Sequence, residues 1–188
     1  MSESKNQGPQ PTGAYERPIA RRLDFYLTGD IKEAKEYNDW FQMLRMAQPH
    51  DSVNFHINSN GGDIFTAIQM MKTMTESHAT ITASSEGMCM SAATFIFLTA
   101  DICEIADHSH FMFHNYSTGN WGKGHEILAN ALADDRWARH LLRKVYDGFF
   151  TPTEIEKIIE GKDYWLGPED VHKRLQKRNK MKKKQRMK

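Results

Sequence analysis

Ser91 stands ahead of an apolar run, Ala92 to Leu98, that reads as a buried helix, and behind a strand-like segment from Ala79 to about Ser84. The intervening Glu86-Gly87-Met88-Cys89-Met90 makes this a strand-to-helix junction. A helix start offers free backbone N–H groups and the positive end of the helix dipole, which favour developing negative charge, so an acyl-transfer nucleophile belongs there. A second such junction is Asn58-Ser59-Asn60-Gly61-Gly62. Its paired glycines remove Cβ atoms that would crowd a substrate and leave N–H groups able to point at an oxyanion. Alone, a Gly-Gly pair is an ordinary turn and a serine at a helix start an ordinary N-cap. The combination carries more, because His114 ends a further strand-like stretch and Asp163 lies in a loop after a capped helix.

Other polar residues have plainer readings. His108, His110 and His114 share parity on one extended stretch, but no fourth ligand accompanies them at a spacing typical of zinc, so surface or structural roles are expected for His108 and His110. Cys89 lies two residues before Ser91 and reads as a small buried apolar side chain rather than a thiol nucleophile. Met70, Met71, Met74, Met88 and Met90 read as core and pocket lining.

The elements that must position these residues follow from periodicity. Leu23, Phe25 and Leu27 alternate as in a strand ending at Thr28-Gly29, and Ile31, Ala34, Tyr37, Phe41 and Leu44 then recur at helical spacing up to Pro49. Val53, Phe55 and Ile57 alternate again, and Ile64, Ile68 and Met71 mark the next helix. After the junction at Ser91 come strand-like stretches at Ile102 to Ala106 and Phe111 to His114, then one long helix from His125 to Tyr146. Thr151, Pro152 and Glu154 form a capping box with proline at the first helical position. Strands alternating with helices predict an α/β fold of parallel βαβ units.

The length of 188 residues suits one domain with tails. A hydrophobic fraction of 39% and a charged fraction of 26% are ordinary for a soluble globular chain, and no apolar run approaches the roughly 20 residues that span a bilayer. Residues 1–20 read as a flexible segment without the features of a secretory signal, and two cysteines fit a reducing compartment, so a cytoplasmic location is expected. The net charge of +1 conceals an asymmetry. Ten of the 25 basic residues fall in Lys173 to Lys188 with no acid among them, leaving the rest 15 basic against 24 acidic residues, a net of −9. The expected organisation is a domain over residues 21–172 and a basic tail over 173–188 that self-repels, stays extended and contacts an acidic protein or nucleic acid.

Five segments together resemble the proteolytic subunit of the Clp protease, the ClpP family. They are Arg22-Leu23-Asp24-Phe25-Tyr26-Leu27-Thr28-Gly29-Asp30-Ile31, Phe55-His56-Ile57-Asn58-Ser59-Asn60-Gly61-Gly62, Glu86-Gly87-Met88-Cys89-Met90-Ser91-Ala92-Ala93, Phe111-Met112-Phe113-His114 and Lys162-Asp163-Tyr164-Trp165-Leu166. The resemblance runs from about Arg21 to about Val171 and implies a crotonase-like α/β spiral with a protruding handle helix. It aligns Ser91 with a nucleophile, His114 with its general base and Asp163 with the carboxylate that orients the imidazole. The N–H groups of Gly62 and Ala92 align with an oxyanion hole. The implied activity is serine endopeptidase cleavage of unfolded polypeptides inside two stacked heptameric rings, with no cofactor of its own and ATP used only by a partner AAA+ unfoldase.

The chain departs from the family pattern at three places. Asn60 replaces the usual proline before the glycine pair, Ala92-Ala93 replaces a Met-Gly pair, and the segment ahead of Arg21 is short and polar where the family has a helix that helps dock the unfoldase. Two alternatives are therefore carried: an ATPase-independent peptidase of the same fold, as in capsid-precursor processing, and a crotonase-type acyl-CoA enzyme that keeps the oxyanion hole without a triad.

Overall fold

The computed structural model describes residues 20–186, so nearly all of the flexible segment expected at the N-terminus lies outside them. β-Branched and aromatic residues at alternating positions form β1 (Arg22–Ile31), β2 (Ser52–Gly62) and β3 (Thr80–Met90), which pair in parallel in that order. β4 (Ile102–Ile105) pairs in parallel with the first half of β3, and β5 (His110–Phe113) pairs in parallel with its last three residues. β6 (Tyr164–Leu166) closes the sheet antiparallel to β5. The fold is the expected α/β class with a mainly parallel sheet.

Several boundaries differ from the sequence expectation for a common reason. β1 does not stop at Thr28-Gly29: its register with β2 shifts between Thr28 and Asp30, and the strand continues to Ile31. The following helix accordingly begins later, as a 3-10 turn over Ala34–Tyr37 and then α1 (Asn38–Met46). β2 runs on through its glycines, and β3 runs six residues past Ser84 to Met90. Between the pairs Ile57↔Ser85 and Ser59↔Cys89, β3 advances four residues while β2 advances two. The Asn58 side chain fills this bulge, its Oδ1 accepting from the Met88 N–H at 3.0 Å. Residues that look like turns are thus bulges within continuous strands, and they bend β3 away from β4 and toward β5.

One face of the sheet carries the core. Phe25, Leu27, Phe55, Ile57, Ile81 and Ala83 are buried there against Phe41 and Leu44 of α1, Met70 and Met74 of α2 (Ile64–Glu76), and α3 (Ala92–Thr99). α3 is buried all round from Ala92 to Leu98, as its unbroken apolar run requires. The opposite sheet face is polar and open. On it His56 lies between Glu86 (2.5 Å) and Asp24 (3.2 Å), stacked on the exposed ring of Tyr26.

α4 (Gly124–Val145) is the expected long helix, and α5 (Pro152–Ile159) has the expected capping box between Thr151 and Glu154. The C-terminal basic segment differs from the extended tail expected. α6 (Pro168–Arg186) is helical, with Val171 and Leu175 buried and Arg174 bound to Glu154 at 2.7 Å. Arg178 donates to the Leu98 carbonyl at 2.9 Å, tying this helix to the end of α3. The Arg174 guanidinium holds the Glu154 carboxyl down at about 2. Apolar residues at positions 171 and 175, one helical turn apart, let the body dock this stretch despite its charge.

A cut after His172 should therefore lower the melting temperature by roughly 5–10 °C, since it removes Leu175 and two anchored arginines, together about 3 kcal/mol. A cut after Met181, which spares them, should leave the melting temperature within about 2 °C of the full chain. Thermal denaturation of both truncations checks this, and equal stability of the two would refute docking of α6.

Candidate functional site

The bend in β3 delivers Ser91 to the edge of β5. The Ser91 N–H donates to the Met112 carbonyl at 2.8 Å, extending the β3–β5 ladder by one rung. The chain then reverses into α3 with Ser91 at φ 53°, the sole non-glycine residue at positive φ among the described residues. Such a conformation costs about 1–3 kcal/mol and persists only where the surroundings impose it. Thr94 contributes to that imposition: its N–H and its hydroxyl both donate to the Ser91 carbonyl, at 2.9 and 2.6 Å. The Ser91 side chain makes no capping bond to α3. Its Oγ instead meets His114 Nε2 at 2.7 Å.

His114 is held from below. Side chains alternate along a strand, so Phe113 points into the core, where its ring meets Tyr146, Phe149 and Phe150 at 5.6, 5.2 and 5.1 Å. The following residue, Asn115, donates from its side chain to the Ile159 carbonyl at the end of α5, at 2.9 Å. The base candidate therefore sits between two anchored neighbours.

The glycine pair is required by backbone packing. A Cβ on Gly61, at φ 95°, would lie 2.7 Å from the Ser91 Cβ and 2.8 Å from the Met90 carbonyl oxygen. A Cβ on Gly62, at φ 143°, would collide with the backbone of Ile31. Sequence reasoning assigned the missing Cβ atoms to substrate access; their first effect is to let β2 pass against the reversal at Ser91 and against β1. Gly62 and Ala92 do line one groove with Ser91 and His114, a cavity of about 390 Å³.

Asp163 stands differently from the other two. The β5–β6 register pairs Phe113 with Tyr164, and one further step sets His114 opposite Asp163. Directly opposed residues in antiparallel strands hold their Cβ atoms about 4.5–5.5 Å apart on the same face. Yet the Asp163 carboxylate is exposed and has no hydrogen bond or ion pair among the described residues, and His114 Nδ1 has no partner there either. The structure thus brings Ser91 and His114 into contact and leaves Asp163 adjacent to them.

Cys89 is fully buried, and burial pushes its thiol well above the usual range, which removes the thiolate a nucleophile needs. His110 packs against Trp165 at 5.1 Å. Among the described residues no cluster of three or more His, Cys, Asp or Glu side chains is placed to hold a metal. Sequence reading missed the rest of the groove: Phe65, Phe95, Tyr116, Asp134 and Trp137 line it. Asp134 and Trp137 sit one helical turn apart on α4, a spacing visible in the sequence, but nothing there indicates which face of α4 turns toward Ser91.

The fold matches that of a point mutant of ClpP1 from Listeria monocytogenes, with a TM-score of 0.69 at 18% identity, covering 80% of this chain and 86% of that one. At that identity the match speaks for the fold alone. The family model described as Clp protease matches residues 13–173, most of the chain and all the segments singled out above. With a serine held at positive φ against a histidine on this fold, and that match across the sequence, the chain belongs to the Clp protease family.

Proposed function

We propose that this Clp-type serine peptidase cleaves unfolded polypeptides through an acyl-enzyme formed on Ser91. The observation that carries this reading is the 2.7 Å contact between Ser91 Oγ and His114 Nε2, made by a serine whose backbone is held at φ 53° beside an open groove. In the proposed reaction His114 Nε2 takes the hydroxyl proton as Oγ adds to the scissile carbonyl. The N–H groups of Gly62 and Ala92 receive the oxyanion, and His114 returns the proton to the leaving amine. Water, activated by the same imidazole, then hydrolyses the ester. Asp163 joins by turning its carboxylate onto His114 Nδ1, a movement that needs only side-chain rotation between opposed residues. An acyl-CoA reading has less support, because a Ser–His pair in contact serves acyl transfer to serine and is superfluous to an oxyanion hole alone.

Assembly of copies of this chain into stacked rings enclosing a chamber is part of the same proposal. Parallel sheets are nearly always covered on both faces, and here one face is open. The first half of α4 also exposes Leu128 and Leu132, and Trp121 just before it is fully exposed. A partner AAA+ unfoldase would supply unfolded substrate and account for any ATP use. No helix among the described residues is long and apolar enough to cross a membrane.

Ser91→Ala should lower peptide turnover by roughly four to six orders of magnitude and abolish labelling by a fluorophosphonate. Ser91→Gly should be equally inactive but more stable than Ser91→Ala by about 1 kcal/mol, because glycine accepts positive φ without strain. Activity persisting in either variant would remove Ser91 from the mechanism. Asp163→Asn should cost on the order of 10³–10⁴ in turnover while leaving the melting temperature of this exposed site unchanged, and a loss below tenfold would exclude Asp163 as the orienting group. Light scattering or native mass measurement at micromolar concentration should give a ring-sized particle, and a monomer alone would refute the assembly.

A further inference from the structure

The groove beside Ser91 has a charge and a wall that its reactive pair does not use. Among the described residues its ionic lining side chains besides His114 are Asp63 and Asp134, and neither lysine nor arginine lines it. Asp63 is committed to the fold, since its Oδ1 accepts from the Thr66 N–H at 2.6 Å and caps α2. The neighbouring carboxylate of Asp135 is likewise committed, to Arg139 at 2.8 Å. Asp134 is half-buried and has neither an ion pair nor a hydrogen bond among the described residues. One helical turn on from it, Trp137 lies stacked with Phe65, ring centroids 5.2 Å apart, although Phe65 is 66% exposed. Tyr116 stands on the same groove, and its phenol is pushed up first by burial and then by the charges of Asp134 and Asp135.

A carboxylate without a partner, set beside an aromatic wall, suits one class of substrate side chain. Lysine and arginine lay an apolar stem along such a wall and present a cation at its end, to a ring face or to a carboxylate. A leucine-sized side chain would use the wall and leave Asp134 desolvated beside it, and a glutamate would be repelled. We infer that Asp134, with the Phe65–Trp137 wall, makes this groove selective for polypeptides carrying lysine or arginine beside the scissile bond.

This inference rests on the peptidase reading, and its test separates the two. Matched fluorogenic peptides differing only in a Lys, Arg, Leu or Glu on the acyl side of the cleaved bond would be assayed with the full-length assembled chain. The expected result is a kcat/KM for Lys and Arg about tenfold or more above that for Leu, with Glu lowest, and a preference that shrinks with added salt. Asp134→Asn should bring the Lys-to-Leu ratio near unity, chiefly through KM, and Asp134→Lys should turn the preference toward Glu. Binding of the same peptides to Ser91→Ala, followed by fluorescence anisotropy, gives the preference without turnover. Selectivity for Leu in the wild type, or a Lys-to-Leu ratio untouched by Asp134→Asn in both assays, overturns the role of Asp134. Absence of hydrolysis and of fluorophosphonate labelling, with the Lys preference retained in the anisotropy measurement, would instead overturn the peptidase reading and leave a cation-selective groove.

Discussion

The reversal of the chain at Ser91 depends on three backbones passing closer together than side chains allow. Gly61 lies against Ser91 and Met90, and Gly62 against Ile31, so β1, β2 and the end of β3 meet in a contact from which Cβ atoms are excluded. That contact, with the bond from the Ser91 N–H to the Met112 carbonyl, holds Ser91 at φ 53°. The strain is local and is offset by the large apolar core packed behind it, to which Phe95 through Leu98 of α3 belong. Because the reversal is fixed from several sides, the hydroxyl has no need to cap its own helix and is free to engage His114.

The rest of the site is arranged around that fixed point with decreasing rigidity. His114 is set by the aromatic packing of Phe113 in the core and by the anchor from Asn115 to α5. Asp163 immediately precedes a three-residue strand and is exposed, so its carboxylate is open to water. Hydration of an exposed carboxylate competes with a single hydrogen bond to a neutral imidazole, and exclusion of water by a bound chain or by neighbouring copies would shift that balance. The proposed mechanism therefore places the adjustable element at the orienting acid and the rigid one at the nucleophile.

The two halves of α4 illustrate how the same element serves core and groove. Its C-terminal half buries Ala138, Leu142 and Val145, its N-terminal half exposes Leu128 and Leu132, and at its middle Asp134 and Trp137 line the groove. An amphipathic helix whose apolar face outlasts the body beneath it projects an unpartnered surface, and here that surface begins where the groove ends.

Much of the candidate site was legible in the sequence, because the signals are local or the spacings distinctive. An apolar eight-residue helix behind a serine, a glycine pair after an alternating strand, and Thr151-Pro152 with Glu154 each specify their own conformation through contacts within a few residues. Their order and spacing carried the family resemblance, and so the pairing of Ser91 with His114. Tertiary structure decided what depends on distant partners. Whether Thr28-Gly29 and Glu86-Gly87 turn the chain or only bulge it is settled by the neighbouring strand's register, and the charged stretch after Lys173 is helical because the body offers its apolar residues and arginines a place to dock. The contact of Asp134 and Trp137 with the groove, and the separation of Asp163 from His114, were likewise beyond the sequence. Helix rotation and side-chain rotamers are fixed by packing and by competition with water, and neither quantity is written in the spacing of residues along a chain.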